Sequence, residues 1–431
     1  MFPIRKRHSG DRLAGPISGW IITVCLALTT TVIGHADELT LAEAEGIALA
    51  HDPSLQAVES KREALEELAV AGGQLPDPLL RTGFMSLPTD TWNLGQEPMT
   101  QVQVGVTQKF PRGRTRALRA EQMLEQSAAL GDNLDDLRLR IALAVREDYL
   151  EVLKQRKLAE INAEAIEAFS DLADITQDYY ATGRVQQQDV LRAAVELAKV
   201  EDRATRIAQE EDRARARLET WIGEAAYRDL DSDWPDPGTV PPPDVLVAGL
   251  AKHPRLAALH RQVAVADTGV QLAEQRYKPE FGIDLTYGGR GGNNPDGSSR
   301  SDLFSIMVMM DLPLFHENRQ DRYKAAAMAE SSAAAFNRDD MYRRMKSEAA
   351  MHAATLSRQL ERMKLFENSL LPDAEFNAEA TFSAYQAAVE SLTTLMRARI
   401  TEFELQLEYA TLRAELLKTR ARLLYLDGGA S

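Results

Sequence analysis

The sequence predicts a mixed α and β chain built from two tandem structural repeats, with four transmembrane β-strands and long coiled-coil-like helices. Three observations carry that reading. Segments recur at an offset of about 200 residues. Short stretches that alternate apolar and polar residues follow prolines in pairs. No proline interrupts the chain between Pro111 and Pro235, which leaves room for helices longer than a small domain is wide.

Composition narrows the function classes. The 431 residues are 44% hydrophobic, 27% charged and only 6% aromatic, and mean hydropathy is −0.31. These values exclude a helical membrane bundle, collagen and wholesale disorder. A β-barrel stays open, because alternating strands average out in hydropathy. A net charge of −15 and a pI near 5.1 argue against a nucleic-acid partner, which needs a basic face.

The first element reads as a signal peptide over residues 1–36. Arg5, Lys6, Arg7 and Arg12 form its positive start, an apolar run covers 17–33, and Gly34-His35-Ala36 supplies a small-x-small end. An uncleaved anchor is the alternative. Removal takes four basic residues and Asp11, moving the net charge to −18. The only cysteine, Cys25, lies in the apolar run and reads as discarded, not lipidated. The mature chain then has neither a disulfide nor a thiolate site.

The repeat comes next. Ala50-His51-Asp52-Pro53-Ser54-Leu55 parallels Ala251-Lys252-His253-Pro254-Arg255-Leu256 at an offset of 201. Phe110-Pro111 parallels Leu312-Pro313, and Tyr180 parallels Tyr385 at an offset of 205. The expected organisation is a first repeat over 37–230, a linker with five prolines over 231–244, a second repeat over 245–427 and a tail over 428–431.

Each repeat should run helix, strand, loop, strand, long helical hairpin. A single helix over 39–74 is expected to end at Pro76 and Pro78. Strand pairs are expected at about 79–110 and 280–312. In the second, Phe281, Ile283, Leu285 and Tyr287 oppose Glu280, Asp284 and Thr286. Leu134, Leu137, Ile141, Val145, Tyr149 and Val152 keep helical steps of three and four, as do Leu405, Tyr409, Leu412 and Leu416. A helix over 115–180 would be roughly 100 Å long. Thr182-Gly183-Arg184 marks a hairpin tip.

Four strands leave two open edges, and an open edge in lipid costs several kcal/mol per unpaired backbone group. Two chains would close eight strands around a filled interior. Three would close twelve around an aqueous channel. The bland alternative is a soluble four-stranded sheet with one face on a core.

Searches for chemistry return little. His51, His253, His260, His316 and His352 lack the spacing of a zinc helix. Asp229, Asp231 and Asp233 resemble the start of a calcium loop, but Trp234 and Val240 stand where glycine and glutamate are required. The glycines of GGRGG precede no helix. Met307, Met309 and Met310 read as packing or lipid contact. No catalytic residue, cofactor or metal ligand is expected.

The ordered, duplicated set of motifs resembles the TolC-type outer-membrane efflux channel family. The resemblance rests on the HDPSL and KHPRL starts and the proline-led strand pairs. It rests equally on QKFPRGRTR and DLPLFHENRQ entering the long helices, and on the tips YYATGRVQQQDVLRA and AYQAAVESLTTLMRA. It implies a trimeric twelve-stranded barrel on a periplasmic α-barrel, placed in the outer membrane of a Gram-negative bacterium, with the Pro-rich joint near the equator. The function implied is a passive exit duct of a tripartite efflux pump that carries small toxic solutes, heavy-metal ions among the candidates, from periplasm to exterior. Implied partners are outer-membrane lipid, a periplasmic adaptor (membrane fusion protein) and an inner-membrane pump of RND type. LPDPLLRTGFMSLP and EPMTQVQVGVTQKFP are most similar to the heavy-metal resistance subgroup. A soluble periplasmic coiled-coil adaptor or scaffold is the alternative, although an adaptor would show one hairpin and no duplication.

Carried over by residue, the family's mouth tyrosine falls at Tyr385. Its basic partner is replaced by Glu390, and its ring aspartates fall at Thr394 and Arg397. The matching places in the first repeat are Asp189 and Arg192. A mixed ring of these charges is the expected gating zone, with ordinary surface pairing as its alternative. Gly183, Arg184 and Ala388 are expected at the tips, where an adaptor would dock.

Overall fold

The computed structural model describes residues Glu38–Gly428. The expected signal peptide, with Cys25, and the last three residues of the expected tail lie outside the described residues.

The stretch expected as one helix over 39–74 is two, α1 (Leu41–His51) and α2 (Pro53–Gly72). The break has a local cause. Pro53 lacks an N–H and suits the first turn, so Asp52 turns extended and caps α2, accepting from Ser54 N at 2.7 Å. Two strands follow, β1 (Leu79–Met85) and β2 (Gln101–Phe110). Next come α3 (Thr115–Ala181, 67 residues) and α4 (Gln187–Ile222, 36 residues).

The second half repeats this order with α5 (Pro243–Gly249), α6 (Pro254–Gln275), β3 (Phe281–Gly289) and β4 (Leu303–Met310). Here His253 caps α6 where Asp52 caps α2, its Nδ1 accepting from Arg255 N at 3.2 Å. The helical hairpin consists of α7 (Gln320–Leu365), a π turn over Phe366–Leu370, α8 (Leu371–Gln386) and α9 (Leu392–Asp427). Its outgoing segments of 46, 5 and 16 residues together match the length of α3, and α9 matches the 36 of α4.

The strands form one antiparallel meander in the order β1-β2-β3-β4. The two repeats join at its centre, where Val104 faces Tyr287 and Val106 faces Leu285. Among the described residues β1 and β4 have no outer neighbour, so both edges of the sheet are open.

Packing of the helices follows the periodic stripe of α3. Ile141, Val145, Tyr149 and Val152 are buried in a core shared with Leu39, Ala44, Leu218 and Leu230. The Tyr149 hydroxyl donates to Leu39 O at 2.8 Å, and burial pushes its pKa up to about 12. On α9, Leu412 and Leu416 pack with Leu150 and Phe366, while Leu405 and Tyr409 flank that cluster. Glu151 of α3 meets Lys154 at 2.6 Å and Lys418 of α9 at 2.5 Å. Burial disfavours its charge, but hydrogen bonds from Lys154, Lys418 and Gln155 more than reverse this and hold its pKa at about 2.

Candidate functional site

Two places on the fold bear on transport: the two faces of the sheet, and the tips of the long hairpins.

Alternation gives the two central strands, β2 and β3, chemically opposite faces, while the edge strands add Leu79, Met85, Met307 and Met309 to the side that holds Asp284. Along β3, Phe281, Ile283, Leu285 and Tyr287 are 38% to 51% exposed, whereas Gly282, Asp284, Thr286 and Gly288 are buried. Val102, Val104 and Val106 of β2 are likewise exposed, while Gln101 and Thr107 are buried. An apolar face turned outward and a hydrogen-bonded polar face turned inward invert the arrangement of a soluble sheet. At the centre of the polar face Asp284 is 3% exposed. Thr107 Oγ1 donates to it at 2.5 Å, Thr286 Oγ1 at 2.7 Å and Arg81 Nη2 at 2.6 Å. A buried carboxylate needs such partners, and here strands from both repeats supply them.

The tips share one backbone design. After α3, Gly183 N–H reaches Tyr180 O at 2.9 Å and Arg184 N–H reaches Tyr179 O at 2.8 Å. After α8, Ala388 N–H reaches Tyr385 O at 3.0 Å and Val389 N–H reaches Ala384 O at 2.9 Å. Both turns need a left-handed residue, supplied by Gly183 at φ +71° and by Ala388 at φ +59°. A side chain on the second costs roughly 1 kcal/mol that glycine avoids.

The tip residues expected from the sequence divide as follows. Asp189 lies in the first turn of α4 and closes a capping box, accepting from Gln186 N at 3.3 Å. Thr394 holds the same place in α9, and its N–H donates to Ser391 Oγ at 3.3 Å. Arg192 on α4 bonds Thr393 on α9, joining the two hairpins. Arg397 and Glu390 are exposed and form no ion pair among the described residues. Arg184 lies 5.4 Å from the ring centre of Tyr179.

Tyr385 is 5% exposed and packs on Tyr179 with ring centres 5.8 Å apart. Its hydroxyl lies beside that of Thr176, which donates to Leu172 O at 2.6 Å. It has no partner of its own at hydrogen-bonding geometry. Burial raises its pKa, with a smaller downward pull from Thr176. Tyr385 thus joins Phe169, Leu172, Leu395, Met396 and Phe403 in the core that welds the tips. Thr393, Thr176 and Tyr179 were not singled out from sequence. Nothing in a local pattern marks a contact across 201 positions.

Among the described residues, no three His, Cys, Asp or Glu side chains are grouped to hold a metal ion. His253 is a cap whose Nε2 meets Tyr425 O at 2.9 Å, and burial lowers its pKa. No described helix is long and apolar enough to cross a membrane.

Residues 245–429 match the model of the outer membrane efflux protein family. The pyoverdine export outer membrane protein OpmQ of Pseudomonas aeruginosa is 23% identical over 333 residues, which span 74% of this chain and 67% of OpmQ. The crystal structure of the outer membrane protein VceC from Vibrio cholerae superposes with a TM-score of 0.76 at 16% identity. It covers 90% of this chain and 96% of VceC. CusC, whose structures concern folding and transmembrane channel formation, superposes with a TM-score of 0.75 at 13% identity, covering 90% and 92%.

Proposed function

We infer that this chain, which belongs to the TolC-type outer-membrane efflux family, is a passive exit duct that carries small solutes from the periplasm to the exterior. Its place is the outer membrane, with a periplasmic extension. The observation that carries the reading is the inverted pair of central strands, apolar outside and polar inside, set on helices roughly 100 Å long. A duct needs a wet path within a lipid-facing shell, and no reaction centre is required to run it.

One chain is an incomplete wall. β1 and β4 are open edges. The helices beside them carry exposed apolar side chains, Leu68 and Val70 on α2 and Phe336 and Met351 on α7. Unlike edges at the two sides favour head-to-tail closure, which makes a ring. Twelve strands from three copies leave a lumen, whereas eight from two copies fill it. The working form proposed is therefore a homotrimer. The tips would meet a periplasmic adaptor, and an inner-membrane pump, of RND type on the family resemblance, would supply the energy. The exposed charges Arg192, Arg397 and Glu390, with the half-exposed Asp189, would line the periplasmic mouth. The adaptor alternative is disfavoured by the sheet, whose apolar outer face has no use in a soluble protein.

The test is assembly and conduction. The purified full chain should run as a trimer in detergent and give discrete conductance steps in planar bilayers. Arg192→Asp or Arg397→Asp should change the conductance of those steps. A chain that stays monomeric and never associates with lipid would sink the duct.

A further inference from the structure

We propose that the junction between the sheet and the helices carries an anion-binding collar on the lumen side, and that the conducted solute is a phosphate- or carboxylate-bearing anion. The proposal rests on the duct reading and names the class of its cargo.

The feature is a cavity of about 1120 Å³ where β2 enters α3, β4 leads to α7, and α2 and α6 end. Lys109, Arg116, Arg119, Arg276, Arg319 and Arg322 line it. Only one lining carboxylate, Glu280, opposes them, and with Asp311 it is taken by a seventh cation, Arg112. Arg116 reaches only a backbone oxygen, Gly73 O, at 3.4 Å. Arg276 stacks 3.9 Å from the ring centre of Tyr323. The other four form no ion pair among the described residues. Asp321, next to Arg322 in the chain, is occupied by Tyr277 at 2.5 Å and His316 at 3.0 Å. Six cations without a matching carboxylate are anomalous in a chain of net charge −15.

Position decides which side the cavity serves. Lys109 follows Thr107 on the polar face of β2, and Glu280 precedes Asp284 on the polar face of β3. The cavity therefore opens on the polar face, opposite the apolar side chains of the outward face, so a lipid headgroup is not its occupant. Clustered guanidinium groups bind phosphate and carboxylate in fork geometry and hold their charge at every physiological pH. Gln320 adds a second signal. It lines the cavity, is 8% exposed, and its Oε1 has no hydrogen-bond partner. A buried acceptor among donors suits an anion that also carries a hydroxyl or an acidic proton. Three such cavities around a lumen would raise the local concentration of anions and slow the passage of cations.

The experiment uses the full chain in detergent and in planar bilayers at about 0.1 M KCl, where screening is moderate. The probe is inorganic tripolyphosphate. Wild type should bind it by calorimetry and show a concentration-dependent drop in conductance. Arg119→Glu/Arg322→Glu should raise both the dissociation constant and the half-blocking concentration at least tenfold and move the KCl reversal potential toward cations. Arg119→Gln/Arg322→Gln, which keeps side-chain size, should give a smaller shift in the same direction and covers the case in which charge reversal prevents folding. Arg213→Asp, on the exposed side of α4 and outside both the collar and the mouth, should leave tripolyphosphate binding unchanged.

Conducting channels whose block and binding do not respond to the collar variants would overturn the proposal. So would phosphatidylglycerol that co-purifies with wild type and is lost from both variants, since it would assign the cations to lipid. Binding that depends on the collar in a protein that never conducts would sustain the anion site and sink the duct. The two failures are thus distinguishable.

Discussion

The outgoing long helices of the two repeats have the same length and opposite characters. Helix α3 runs unbroken for 67 residues through the middle of the wall, touching α2, α4, α6 and α9 and burying Tyr149, Leu150 and Phe169. Its counterpart is divided by a π turn into α7 and α8, lies at the border of the wall and leaves Phe336 72% exposed. The division has a chemical cause. Pro372 has no N–H and would press on the carbonyl four residues back, and a wider turn relieves the clash. Leu371 N–H accordingly reaches back five residues to Phe366 O. At the equivalent place, 205 positions earlier, α3 has Glu167. Duplication preserved length and fold, while place in the wall set burial and one proline set continuity.

That comparison can be broken at its strongest point by truncating one phenylalanine in each helix. Phe169→Ala should cost about 3–5 kcal/mol in denaturant unfolding, because it empties the tip core beside Phe403. Phe336→Ala should lie within about 0.5 kcal/mol in the same measurement. It should instead weaken the proposed trimer on semi-native gels, since in that assembly its exposed ring would meet a neighbouring copy. Equal unfolding costs would erase the distinction between central and border helices.

Exchanging the proline comes next. Glu167→Pro should destabilise by about 3 kcal/mol or more, because α3 has no wide turn to receive it. Pro372→Ala should change stability by less than about 1 kcal/mol, since the π turn already accommodates the ring. Similar values at both sites would mean that continuity does not matter.

Acid titration probes a third asymmetry. Glu151 of α3 is an ion-pair centre, while the equivalent residue in α7 is Leu356. The folded-state pKa of Glu151 is depressed to about 2. Its contribution, on the order of 2–3 kcal/mol, is therefore complete above the unfolded carboxyl pKa of about 4.3 and is lost as pH falls through about 2. Unfolding free energy measured against pH should decline in that window, and Lys418→Met should flatten part of the decline. An unaltered slope in that variant would remove the pair from the account.

The tips give the smallest effect. Ala388→Gly should stabilise by about 1 kcal/mol, and Gly183→Ala should cost about as much, since each changes the strain of a left-handed residue. No Cβ clash confuses the second change, because nothing lies within 4 Å of the position where its methyl would stand. Thermal unfolding of both variants would measure it.

Much of this was legible from residue patterns. Alternation of Phe281, Ile283, Leu285 and Tyr287 marked a strand and both its faces, because strand side chains point to opposite sides with period two. The stripe from Leu134 to Val152 marked the buried side of α3 for the corresponding reason with period 3.6. Thr182-Gly183-Arg184 marked a tip through glycine's freedom at positive φ. The break at Asp52 lies within continuous helical patterning and only Pro53 marks it, since a proline that ends one helix also starts the next. Less was legible at the mouth. Asp189, expected in the charged ring of the mouth, also closes the capping box of α4 with Gln186, and the bond from Arg192 to Thr393 depends on two hairpins meeting 201 positions apart.

Local order was thus written into the chain: which segments are helix or strand, where they turn, which side of each is apolar, and that the whole pattern occurs twice. Periodicity and backbone sterics act over a few residues, so a linear reading reaches them. The three-dimensional arrangement alone determined which charges remain without partners. The cations around the junction cavity come from β2, α3, the end of α6 and the start of α7. No segment contains the collar, because electrostatic fields add in space and not along the sequence.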